Sequence, residues 1–214
     1  MSLKLYFHPL SSFCQKVLIA LYESGTPFEP VMVDLGNPKE REALLKLWPI
    51  GKFPVLRDEA EARTIPESSI VIEYLDAHYP GKALMIPQDA ELARQVRAQD
   101  RFMDLYLQLP MQKIVGDRLR PADSKDPFGV EEARARLKTA YGVIESNMAG
   151  KTWAVGDAFT MADCAAAPAL FYANKVQPFG EYKAMTRYCE RLMERPSYKR
   201  ALEEAKPYFH LFPQ

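Results

Sequence analysis

The chain has 214 residues, with 28 basic and 28 acidic side chains that cancel to a formal net charge of zero. Hydrophobic residues make up 48% and charged residues 26%, ordinary for a globular domain and outside the disordered and fibrous classes. A nucleic-acid backbone binder normally carries a basic excess, so that class is not expected. Three cysteines, Cys14, Cys164 and Cys189, are odd in number and far apart, with neither a disulfide framework nor zinc spacing. No segment approaches 18 consecutive apolar residues and MSLKLYFHPL has no signal-like apolar core, so a soluble cytoplasmic protein without a membrane span is expected. Seventeen prolines against ten glycines mean rigid punctuation.

Leu3–Phe7 reads as a short strand. Two serines then precede FCQKVLIALY, whose Phe13, Val17, Leu18 and Leu21 form a helical stripe. Gly25-Thr26-Pro27 ends that helix, and Pro30–Leu35 reads as a second strand. A short polar helix follows over 37–47. Phe53–Arg57 is strand-like, with Ala62–Ile65 as its hairpin partner. Glu67-Ser68-Ser69 then opens a helix with Ile70, Ile72, Tyr74 and Leu75 as its apolar set. The order β-α-β-(α)-β-β-α is that of a thioredoxin-like domain over residues 1–80. Residues 81–88 form a linker, and 89–214 read as all-helical. Helical patterns there cover 90–109, 129–148, a segment opened by Thr160-Met161-Ala162-Asp163, 181–194 and 197–205. Pro168 falls inside the third of these, so a kink or early break is expected.

Three places carry candidate chemistry. Ser11 and Ser12 stand at the start of the first helix, where unpaired N–H groups and the helix dipole favour negative charge. A hydroxyl there would stabilise a thiolate, or would merely cap the helix. Lys52-Phe53-Pro54 precedes a strand. A cis Pro54 would expose the Phe53 backbone to an extended ligand, and Lys52 would meet a carboxylate. Glu67 and Ser68 sit at a second helix start, suited to the ammonium and carboxylate of an α-amino acid. Each pattern alone also has a purely structural reading. In this order they would line one sheet edge and hold an extended peptide with a thiol at Ser11.

SSFCQKV, WPIGKFPVL, PESSIVIEYL and GDAFTMADCAAAPAL resemble, in order and spacing, four motifs of the cytosolic glutathione S-transferase family of the serine type. The resemblance implies a glutathione-binding N-terminal domain, a helical C-terminal domain, a homodimer, and a hydrophobic electrophile bound between the domains. It implies Ser11 as the catalytic residue, with Ser12 and Tyr6 as alternatives. It implies Lys52, Phe53, Pro54, Glu67 and Ser68 as the glutathione contacts, with glutathione as co-substrate and no metal. Trp48 replaces the family's asparagine, and Ser11 stands where dithiol relatives carry cysteine, which argues for thiol activation over disulfide exchange. Cys14 is expected to pack in its helix, and Cys164 and Cys189 to be buried and inert. His8 would border the electrophile pocket, where Tyr106 and Met111 are possible linings. Arg94, Arg97 and Arg101 share one helix face, which the resemblance places near the dimer interface.

Overall fold

The computed structural model describes residues 2–213. Leu3–Phe7 forms strand β1, Ser12–Ser24 helix α1, Glu29–Met32 β2, Pro38–Leu47 α2, Val55–Asp58 β3, Arg63–Pro66 β4 and Ser68–His78 α3. The sheet order is β2-β1-β3-β4. β1 pairs parallel with β2 and antiparallel with β3, which pairs antiparallel with β4. Alternation along β1 sends Leu3, Leu5 and Phe7 into the main core. Tyr6 faces the other side and packs with Val33, Leu44 and Val55, the small cluster beneath α2. Only Leu44 of α2 is buried.

The rest of the fold is helical. Helix α4 (Ala90–Phe102) continues through a π-helical stretch, Met103–Gln108, into α5 (Leu109–Arg118). Then come α6 (Pro127–Met148), α7 (Met161–Val176), α8 (Lys183–Glu194) and α9 (Pro196–Ala205), with a 3₁₀ turn at Lys206–Leu211. One contiguous core joins the inner sheet face, α1 and α3 to α7 and α8. None of the helices is long and apolar enough to cross a membrane among the described residues.

Some sequence expectations need correction. Helix α7 does not break at Pro168. It is buried along nearly all its length, and alanines at 165–167 and 169 flank the ring, so packing overrides the lost hydrogen bond. Its start carries a capping box of Thr160 and Asp163. Asp163 accepts from the Thr160 N–H at 2.9 Å, the Ala154 N–H at 2.9 Å and the Tyr188 hydroxyl at 2.6 Å. The long pattern expected to end near residue 109 runs on to Arg118, because the π stretch absorbs Pro110 near the start of α5. In α3 the buried position is Val71, whereas Ile70 is 53% exposed and faces a cleft. The second strand is Glu29–Met32, ending three residues short of the expected Leu35.

Candidate functional site

Ser11 is the N-cap of α1, with extended backbone geometry. Its Oγ accepts the Cys14 N–H at a long 3.4 Å, and its own N–H is held by the His8 carbonyl at 3.0 Å. The cap uses one lone pair of the hydroxyl, and the same hydroxyl lies within hydrogen-bond reach of the Cys14 sulfur. Ser12 is the first helical residue. It is 7% exposed, and its Oγ accepts from Gln108 Nε2 at 2.5 Å. Tyr6 lines neither cleft beside Ser11, since its ring lies under α2 on the opposite sheet face. Cys14 is fully buried, and desolvation pushes its thiol up to about 12 against weaker opposing hydrogen bonds.

The loop before β3 carries Lys52, Phe53 and Pro54. The Phe53-Pro54 peptide bond is cis, as the sequence suggested. The first β1–β3 pair is Tyr6 with Val55, so the Phe53 backbone lies just beyond the sheet ladder. Lys52 is exposed and has no ion-pair partner among the described residues. Glu67 caps α3 with φ at +70°, a region that non-glycine residues enter at roughly 1–3 kcal/mol. Its carboxylate makes no capping bond. The helix N-terminus behind it leaves the Ser68 and Ser69 N–H groups open, with the positive end of the dipole beside them.

These residues come together. A cleft of about 750 Å³ is lined by Ser11, Lys52, Phe53, Pro54, Glu67 and Ser68, with Arg97, Arg101, Asp100 and Asp104 on its far wall. A second cleft of about 350 Å³ lies between the domains, bordered by His8, Met111, Val115, Tyr172 and Phe212. Ser11, Phe53 and Gln112 line both, so the clefts meet there. His8 reaches the second cleft as expected; burial holds its imidazole below the usual value, with the Asp34 charge opposing. Met111 reaches it too, whereas Tyr106 lies in an outer groove between α5 and α6. Among the described residues no charged side chain lines the second cleft once His8 is neutral.

Sequence reasoning missed a buried polar seam beneath the first cleft. Lys16, on the apolar stretch of α1, is 1% exposed. It bridges Asp100 at 2.6 Å and Asp104 at 2.9 Å, and donates to Ser69 Oγ at 2.9 Å. Ser69 in turn donates to Asp100 at 2.6 Å. Burial raises the Asp104 carboxyl above the usual range, with Lys16 pulling it back. The seam ties α1 and α3 of the first domain to the helical domain. The available signal was a lysine inside a run otherwise suited to burial.

Comparison with known proteins gives two family matches. Residues 5–83 match the glutathione S-transferase N-terminal domain and residues 102–196 the glutathione S-transferase C-terminal domain. A glutathione S-transferase of Pseudomonas putida is 31% identical over 161 residues, spanning 75% of this chain and 70% of the relative. One from Silene vulgaris is 27% identical over 226 residues, spanning 94% and 97%. A glutathione S-transferase crystal structure from Methylobacillus flagellatus, with glutathione bound, superposes with a TM-score of 0.86 at 25% identity, covering 94% of this chain and 98% of that one.

Proposed function

The chain belongs to the glutathione S-transferase family, and from that membership we propose that it holds glutathione in the larger cleft and joins the sulfur to an apolar electrophile in the smaller one. The observation that carries this reading is the position of Ser11 where the two clefts meet.

Glutathione is an extended peptide with an α-amino acid head, a central thiol and a terminal carboxylate. The head suits Glu67 and the α3 N-terminus: the carboxylate takes the ammonium, while the Ser68 hydroxyl and backbone N–H groups take the head carboxylate. The central residue pairs with the Phe53 backbone as an added strand. Lys52 meets the glycyl carboxylate. The thiol then reaches Ser11, whose hydroxyl donates to the thiolate and lowers its pKa at the positive end of α1. Attack on the second substrate forms a C–S bond, and the leaving group departs with its electron pair. The uncharged second cleft suits a neutral, apolar electrophile. Such an enzyme serves detoxification in the cytoplasm as a homodimer. The exposed groove of Leu105, Tyr106, Phe128 and Val143 supports a dimer face on the α4–α6 side.

Retention on immobilised glutathione and conjugation of 1-chloro-2,4-dinitrobenzene test the reading. Ser11→Ala is expected to lose turnover with a near-normal KM for glutathione. Tyr6→Phe is expected to behave as wild type. The reverse pattern would move the catalytic hydroxyl to Tyr6.

A further inference from the structure

The helix that runs from α4 into α5 meets α1 as an antiparallel polar ladder with a step of four residues. Asp104 grips Lys16 at 2.9 Å, and one step along Gln108 grips Ser12 at 2.5 Å. Both rungs lie next to or within the π stretch Met103–Gln108, a distortion that tends to occur at functional sites. The next step on this helix is Gln112. On the other side the matching position is His8, which lies before the start of α1 and makes no hydrogen bond to Gln112 among the described residues. Gln112 therefore has no rung to close. It is exposed, its side chain has no hydrogen-bond partner among the described residues, and with Ser11 and Phe53 it is one of three residues common to both clefts. Phe53 brings a ring and Ser11 the hydroxyl assigned to the sulfur. Gln112 is the remaining polar side chain at the place where sulfur and electrophile meet.

We propose that Gln112 is a catalytic residue of the transfer, its carboxamide N–H donating to the negative charge that develops on the electrophile as the sulfur attacks. The inference rests on the transferase reading above. With a nitroaryl halide, the thiol proton passes to solvent and the thiolate pair forms the C–S bond. A ring π pair moves onto the nitro oxygens, and it returns to the ring as the halide leaves with the C–halogen pair. The charge on the nitro oxygens exists only after attack begins, so a donor aimed at it acts on the transition state rather than on substrate binding. A carboxamide suits this place because it donates two N–H groups and does not titrate.

The test uses 1,3,5-trinitrobenzene, which has no leaving group, so thiolate attack stops at a coloured anionic adduct that mimics the charged intermediate. Adduct formation is measured by visible absorbance for wild type, Gln112→Ala and Gln112→Glu, beside kcat and KM for glutathione with 1-chloro-2,4-dinitrobenzene. Gln112→Ala is expected to lower both the adduct formation constant and kcat by about tenfold, the lower end for a hydrogen bond to a charged group, because the site is open to water. KM for glutathione stays within about twofold. Gln112→Glu keeps the shape but sets a carboxylate against the new charge, so it should fall further than alanine. A purely structural role would make the isosteric variant the milder one. Unchanged adduct formation in both variants, Gln112→Glu milder than Gln112→Ala, or a loss that follows the glutathione KM overturns the role of Gln112 alone. A wild-type chain that forms neither adduct nor conjugate overturns the transferase reading, and this inference with it.

Discussion

Replacing Lys16 by methionine removes the cation that pairs directly with two buried carboxylates. The side chains of Lys16 and Asp100 are each 1% exposed and that of Asp104 11%, with contacts of 2.6 and 2.9 Å. Solvent cannot take over the pairing, so the change strands carboxylates rather than breaking a surface ion pair. Breaking a buried pair from one side costs about 3–5 kcal/mol. In a chain of this size each kcal/mol shifts Tm by about 2–4 °C, so Lys16→Met should melt about 6–20 °C below wild type at pH 7. The loss should depend on pH. Burial already raises Asp104 above its ordinary value of 3.8, and removing Lys16 takes away the larger of the charges that oppose this, leaving Arg101. A carboxyl whose folded pKa is raised is neutral in both states below the unfolded value and costs nothing there. The penalty grows as pH rises through the folded value. The gap between variant and wild type should therefore narrow as pH falls from 7 toward 4.5. Urea unfolding at the two pH values, followed by tryptophan fluorescence, gives both numbers, and adding Asp104→Asn to Lys16→Met should recover part of the loss. A gap below about 1 kcal/mol at pH 7, the range of an exposed pair, or one equal at both pH values, refutes the reasoning.

Glu67→Ala and Lys52→Ala should each raise the glutathione KM several-fold while changing kcat less, because in the proposed complex both groups hold substrate and neither touches the sulfur; steady-state kinetics with varied glutathione decides it, and a kcat loss with normal KM would contradict the assignment. Asp163→Ala should cost about 3–5 kcal/mol, since it leaves the Ala154 and Thr160 N–H groups and the Tyr188 hydroxyl without an acceptor in a buried site; chemical denaturation reads it, and an effect under about 1 kcal/mol would contradict the capping role. The thiols of Cys14 and Cys189 are pushed by burial to about 12 and that of Cys164 is also raised. Iodoacetamide at pH 7.5 should thus leave all three cysteines unlabelled in the native protein and modify them after denaturation. Rapid native labelling of Cys14 by mass spectrometry would count against this.

How far the site was legible depended on whether the chemistry was local. Ser11, Phe53-Pro54 and Glu67-Ser68 each stand at an element boundary, where capping and turn rules act on neighbours in sequence, and the boundaries fell within a few residues of the reading. The order of elements brought these motifs together, but at one end of the strands rather than along a sheet edge, since β1 and β3 are interior. Tyr6 could be separated from Ser11 only by knowing which face of β1 meets α2, since alternation gives two faces without saying what covers each. Lys16 gave only the weak signal of a lysine in an apolar run for a similar reason: its carboxylate partners lie 84 and 88 positions away, and α1 alone does not show what would pair with it. Pro168 misled because propensity rules describe an isolated helix, and α7 is buried along nearly all its length, including at Pro168. Gln112 carries no local signal at all. Its significance comes from two clefts meeting beside it.

In the proposed mechanism Ser11 stabilises the glutathione thiolate where the clefts join. The direct measurement is the ultraviolet absorbance of thiolate for glutathione bound to the protein, titrated from pH 5 to pH 10, with and without Ser11→Ala. Wild type should hold the bound thiol well below the value of free glutathione, and Ser11→Ala should return it toward that value while glutathione stays bound. A bound thiol that titrates identically in the two proteins would contradict the account.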